Sequence, residues 1–440
     1  MATREPNERL ERLHREAGWT HRQFAQAVNR VGTERGTPTK YQQPSVSQWL
    51  HGHIPKKETR PLILEALERK LRRPITYAAA GFPAPGGDSG TRSTVAELVD
   101  LGTADALPGR RLVVGASLFS VALTIPDWQD VVGRMESVKY GSTVRIGMPD
   151  VEVVTKMTER LNQMYGDFGG RTARPLAATF LVNEVVPYLH ADATETVRKE
   201  MLSAASFLCY LTGWMAADEG LHGLAQRYYT KGLELAGASS DHLTYCHVLR
   251  GMSVQAADLG HGPTAVRLAE AASAASPQTG PRMRAFMGGQ LAHSYALAGD
   301  GRAALRSIRE TEKALDAAES GLESFGGFSP ATLAYATAQV RYYTGDITGS
   351  VESLKLHFQL RDPTDTKVSG LRFGSMLAER QLELGHLEAA CTTWNEVLDR
   401  HSGVRSGRVD RQVADITSRL RPYISNGTAR EFDERVVQQV

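Results

Sequence analysis

From residue 149 onward, apolar positions recur every three or four residues in one segment after another, as in VEVVTKMTERLNQMY, MLSAASFLCYLTGWMAA and LRFGSMLAERQLELG. That spacing places apolar side chains along one face of an α-helix and predicts a run of helices. The strict alternation that marks strands is absent over useful lengths, and glycines and prolines fall mostly between the runs. The pattern predicts an all-α chain.

A longer period lies over the short one. Gly220, Gly260, Gly299, Gly345 and Gly385 follow one another at intervals of 40, 39, 46 and 40 residues. Each is followed five positions later by a small residue: Ala225, Ala265, Ala304, Ser350 and Ala390. Four positions further on stand Tyr229, Ala269, Ile308, Leu354 and Trp394, bulky in four of the five. Glycine tolerates the left-handed conformation that ends a helix. The small residue lets a second helix come close, and the large one fills the groove a turn later. One such hairpin cannot bury its apolar face alone, so the hairpins must stack. The glycine, alanine and aromatic positions resemble those of tetratricopeptide-repeat proteins over about residues 200–400, although the period is nearer 40 than 34. The resemblance implies an α-solenoid of helical hairpins with an extended concave binding surface. Aromatic residues gather in this region, and most are expected between helices. Trp214, Tyr245 and Tyr335 are the candidates for an effector surface.

The first 80 residues read differently. Residues 7–17 form an amphipathic first helix with Leu10 and Leu13 inward, ended by Gly18. Thr20 and Gln23 stand at capping-box spacing for a second helix with Phe24, Ala25 and Val28 on one face. A polar stretch, GTERGTPTKY, leads to a third short helix, QPSVSQWLHG, in which Val46, Trp49 and Leu50 face a core and Gly52 closes. A basic turn over residues 55–60 precedes a fourth helix over 61–71. Gly18-Trp19-Thr20, Gln23-Phe24-Ala25 and the run from Ser45 to Gly52 resemble the helix-turn-helix domain of Xre/Cro-like repressors. In that family the helix after the turn enters the major groove. The resemblance implies base reading by Gln43, Ser45, Ser47 and Gln48, because Gln pairs with adenine and Ser is less discriminating. It implies phosphate contacts from Arg22, Lys40, Lys56 and Lys57. Thr20 and Gln23 join that set by bringing helix N-terminal amides towards a phosphate. The stretch between the second and third helices is longer than the usual three or four residues. Trp49 reads as core.

The expected organisation is a helix-turn-helix domain at 1–80, a linker and connecting segment at 81–148, and a helical-repeat domain at 149–440. Residues 81–93, GFPAPGGDSGTRS, have linker composition. The longest apolar run, LVVGASLFSVALTI at 112–125, is too short to span a membrane and reads as buried helix or strand.

Charge sharpens this division. The formal net charge is only +2, but residues 1–80 hold 15 Lys and Arg against 8 Asp and Glu. That leaves 36 against 41 of the chain's 51 and 49 for the rest. A basic head points to an anionic partner. Cys209, Cys246 and Cys391 are far apart in apolar helical context and read as buried thiols, not as a disulfide framework or zinc site. No nucleophile elbow, phosphate loop, HExxH or dinucleotide fingerprint occurs, so no enzyme activity, metal or cofactor is expected. Asp218 and Glu219, ahead of the first repeat turn, read as surface charge.

Head and body together are similar to actinobacterial regulators of development and secondary metabolism. The resemblance implies a cytoplasmic, nucleoid-associated transcriptional regulator that binds double-stranded DNA as a homodimer. A peptide, small molecule or protein would act at its repeats, and no membrane would be involved. The alternative is a protein-interaction scaffold whose basic N-terminal domain only tethers it to DNA.

Overall fold

The structure is a computed structural model that describes residues 6–34, 38–56, 58–71, 75, 80–82, 94–106, 119–120, 145–274, 280–318, 328–362, 365–401 and 403–439. The apolar run at 112–125 and Lys57 fall outside these, apart from residues 119 and 120. The fold is all-α and solenoid-like, and the described residues contain no β-strand beyond one isolated bridge between Arg145 and Asp192. Two compact units are present, residues 6–82 falling in the first and residues 94–106 and 145–439 in the second. No helix among the described residues is long and apolar enough to cross a membrane.

The first unit contains α1 (Glu8–Ala17), α2 (His21–Glu34), α3 (Gln43–Leu50) and α4 (Arg60–Leu71). Leu10, Leu13, Phe24, Val28, Val46 and Leu67 form the centre of its core. Trp49 is buried there, edge-on to Phe24 and Tyr41.

In the second unit, α5 (Thr94–Ala106) lies within the stretch expected to connect the domains, and it is docked on the array. Asp105 forms a fully buried ion pair with Arg174 and accepts the Tyr228 hydroxyl at 3.1 Å. Glu97 meets Lys231, and the Thr94 hydroxyl donates to Glu234. Helix α6 (Met148–Phe168) precedes α7 (Gly170–Phe180), which runs through a π-helical stretch (Leu181–Val185) into α8 (Val186–His190).

Five hairpins follow: α9 (Glu195–Asp218) with α10 (His222–Ser239), α11 (His242–Asp258) with α12 (Gly262–Ala274), α13 (Pro281–Leu297) with α14 (Gly301–Asp316), α15 (Pro330–Tyr343) with α16 (Ile347–Leu360), and α17 (Lys367–Glu383) with α18 (Leu387–His401). Helices α19 (Gly407–Leu420) and α20 (Gly427–Gln439) complete the array.

The hairpin turns share one geometry. Each repeat glycine has φ between +76° and +89°. Its N–H donates three residues back and the next N–H five residues back, as in Gly299 to Ala296 and Asp300 to Tyr295 at 3.0 and 2.9 Å. These paired bonds cap the last carbonyls of the first helix. The small residues of the repeat are all fully buried, and Tyr229, Leu354 and Trp394 behind three of them are equally inaccessible, with Ile308 behind a fourth nearly so. Cys209, Cys246 and Cys391 are buried free thiols.

The array curls until its ends meet. Helix α17 packs on α6 as well as on its own hairpin partner. Arg405 N–H donates to Phe168 O at 2.7 Å, and Arg171 N–H to Arg405 O at 3.1 Å. Asp218 therefore becomes an interior group, bonded to the Ser406 hydroxyl at 2.7 Å and the Gly170 N–H at 3.2 Å. Glu219 pairs with Arg171 and is largely covered. This corrects the expectation of surface charge for both, because a segment nearly 190 positions away in sequence folds onto that turn.

Candidate functional site

In the first unit, the chain enters α3 extended at Gln42, and Pro44 occupies the first turn, where a missing N–H leaves no helix bond unmade. The helix ends at Leu50, and Gly52, two residues beyond, has φ +88°. Asn7 N–H donates to Leu50 O at 2.9 Å and fastens the end of α3 to the start of α1. Successive side chains are 100° apart, so burial of Val46, Trp49 and Leu50 turns Pro44, Ser47, Gln48 and His51 to the other side, while Gln43, seven residues before Leu50, shares the flank of Leu50 and is exposed because it opens the helix. Gln43 and Gln48 are exposed, while Ser45 and Ser47 are half-buried, Ser45 at the edge of the face.

The described part of the α2–α3 connection, residues 38–42, is held by one side chain. Asn29 Nδ2 donates to Tyr41 O at 2.8 Å, and Asn29 Oδ1 accepts from Tyr41 N–H at 2.8 Å and the Thr39 hydroxyl at 2.9 Å. The Tyr41 hydroxyl in turn meets the Thr59 hydroxyl at 2.6 Å. These bonds tie the residues leading into α3 to α2 and to the start of α4. Thr20 and Gln23 form the reciprocal capping box, with Thr20 N–H to Gln23 Oε1 at 2.8 Å and Gln23 N–H to Thr20 Oγ1 at 3.2 Å. Their side chains serve each other, so an anion at this helix end would meet the amides of His21 and Arg22 instead. Arg22, Lys40 and Lys56 are exposed. None of the three has a carboxylate partner among the described residues.

The second region is the inner side of the array, formed by the first helix of each hairpin. Trp214 is half-buried and donates Nε1–H to the Tyr165 hydroxyl at 3.1 Å. Tyr335 is half-buried against Phe373, the ring centroids 4.3 Å apart. Tyr245 is buried on the side of α11 opposite His247 and Arg250, so it contributes to packing between helices and not to this surface.

Charged residues that sequence reasoning did not single out lie here. Asp258 bridges Arg372 at 2.6 Å and Arg408 at 3.0 Å, joining α11 to α17 and α19. Burial raises the Asp258 carboxyl pKa, but the two guanidiniums outweigh it and hold it below the usual carboxylate range. Arg250 lies over the Phe286 ring at 3.7 Å and donates Nε–H to Phe286 O at 3.3 Å. No carboxylate among the described residues pairs with it. One turn earlier His247 sits among Phe207, Tyr210 and Phe286 at centroid distances of 5.3–6.0 Å. Burial drives its pKa down to about 4, so the ring is neutral at pH 7. One signal was legible: Arg250 is a charge in the middle of the apolar helix HLTYCHVLRGMSVQAAD, whose other charge, Asp258, is its last residue.

Residues 10–83, which take in most of α1 and all of α2, α3 and α4, match the model of a family described as the SP15 N-terminal domain. No curated protein matches the chain. The chain is therefore similar to the SP15 N-terminal domain across its helical first unit.

Proposed function

We propose that the protein is a sequence-specific DNA-binding transcriptional regulator. In this reading the first unit is a helix-turn-helix head of the Xre/Cro type. The second is a tetratricopeptide-like body that holds two copies together and takes an effector. The observation that carries the reading is α3. Its apolar residues are spent on the core, while Ser47 and Gln48 project from the other side, Gln43 is exposed at its N-terminal end, and Arg22, Lys40 and Lys56 are exposed in the same small unit. A short helix with a polar outer face, accompanied by exposed cations, suits a DNA groove between phosphates. An effector would act by preferring one placement of the two heads, since a ligand shifts only what it binds differentially.

Selection from random duplexes by the full chain tests the reading and is expected to return an enriched motif. Gln48→Ala should then lose ~1–3 kcal/mol of discrimination at one base position. Arg22→Ala should weaken all sequences alike and lower the salt slope by about one. A steep salt dependence with no enriched motif would overturn the regulator and favour a scaffold tethered by charge.

A further inference from the structure

We infer that the inner side of the array holds a site for a carboxylate that carries its own hydrogen-bond donor, centred on Arg250 and His247. The inference deepens the effector reading proposed above and rests on it. Both residues belong to α11 and, three positions apart, share a face. Arg250 has used one of its five donors on Phe286 O, and the ends of its guanidinium have no partner among the described residues. Asp258 does not neutralise it, because eight residues of helix separate them by roughly 12 Å and that carboxylate is already shared by Arg372 and Arg408. The groups that act on Arg250 are Tyr210, Tyr335 and Arg372, none of them a carboxylate. A guanidinium so placed matches a planar anion bidentately.

His247 supplies the second half. Its Nδ1 lies 3.1 Å from Leu243 O on its own helix. A carbonyl only accepts, so Nδ1 carries the proton and Nε2 presents a lone pair. Nε2 is buried, on the far side of the ring from the helix backbone, and has no partner. The side chain is only 3% exposed. A buried acceptor left open is unfavourable until a donor reaches it. Phe207, Tyr210 and Phe286 provide apolar walls around it. The complementary ligand has a carboxylate for Arg250, an N–H or O–H a few atoms away for His247, and an apolar body. A small N-acyl amino acid and the C-terminus of a peptide share that chemistry.

Isothermal titration of the full chain with N-acetyl-phenylalanine, its uncharged amide and 3-phenylpropionate tests the site. N-acetyl-phenylalanine is expected to bind, the amide to bind about tenfold or more weakly for want of the charge, and phenylpropionate to fall between for want of the donor. Arg250→Gln should remove the preference for the carboxylate. His247→Phe should reduce N-acetyl-phenylalanine to the level of phenylpropionate. If Arg250→Gln does not fold, the three-ligand comparison on the unaltered chain still decides. Equal binding of acid and amide, or no binding of any carboxylate at millimolar concentration, would overturn the site. A tripeptide ending in phenylalanine that binds more tightly than N-acetyl-phenylalanine identifies a peptide as the source, and equal binding a free small acid. Ligand that binds yet leaves DNA affinity unchanged refutes the effector role and leaves the site standing, so the two failures are distinct.

Discussion

Replacing Asp258 with asparagine removes one charge from a place where two guanidiniums depend on it. The Arg372 and Arg408 contacts are 2.6 and 3.0 Å, and the three side chains are between 12% and 20% exposed. At an effective dielectric near 20, each attraction is ~4 kcal/mol at 4 Å. Desolvation of three ions and the repulsion between the arginines consume most of that. Deleting the carboxylate recovers none of the desolvation and leaves both cations uncompensated, a situation that costs ~3–5 kcal/mol when fully buried. With some solvent access and an amide oxygen still available, ~3 kcal/mol is the expected loss. Asp258→Asn should therefore lower the thermal midpoint of the second unit by ~4–6 °C, followed by circular dichroism. The pH dependence has a definite sign. The folded pKa of Asp258 is depressed, so its contribution is present above the ordinary carboxylate value and lost as pH falls through the lower, folded one. The gap between the two proteins should thus be the same at pH 7 and pH 5. Glu152→Gln, which breaks an exposed pair with Lys156, should leave the midpoint unmoved. An Asp258→Asn midpoint within about 1 °C of the unaltered protein, or a gap that closes by pH 5, would refute the reasoning.

Two further perturbations probe local devices. Gly299 has φ +87°, and a Cβ there would meet nothing within 4 Å, so Gly299→Ala tests backbone strain alone. It should cost ~1–2 kcal/mol, with Gly299→Asn recovering part of the loss, both read from thermal midpoints. Asn29→Ala opens the bracket on Tyr41 and should destabilise the first unit by ~1–3 kcal/mol. Faster hydrogen exchange at the Tyr41 amide is the direct check.

What the sequence made legible, and what it did not, divides by range. The glycine turns, the capping box of Thr20 and Gln23 and the inward set Val46, Trp49 and Leu50 are each decided within one or two helical turns. A short window therefore contains the whole cause. Burial of Ala225, Ala304 and Ala390 follows from the same windows, since a repeat that must stack presents the same small position each time. Asp218 and Asp258 lie beyond that reach. Both occur near helix ends just before a repeat glycine, where a solvated carboxylate is the ordinary outcome, and nothing within ten residues distinguishes them. Their side-chain partners are Ser406, Arg372 and Arg408, more than a hundred positions away. They become interior only because the small curl at each hairpin accumulates until the last helices return to the first. Curl per repeat is set by side-chain volume at many interfaces together, and no single residue reports it. The inner surface, where Arg250 and His247 lie, is a product of that accumulated curl, which is why the turns were readable from the chain while most of what they enclose was not.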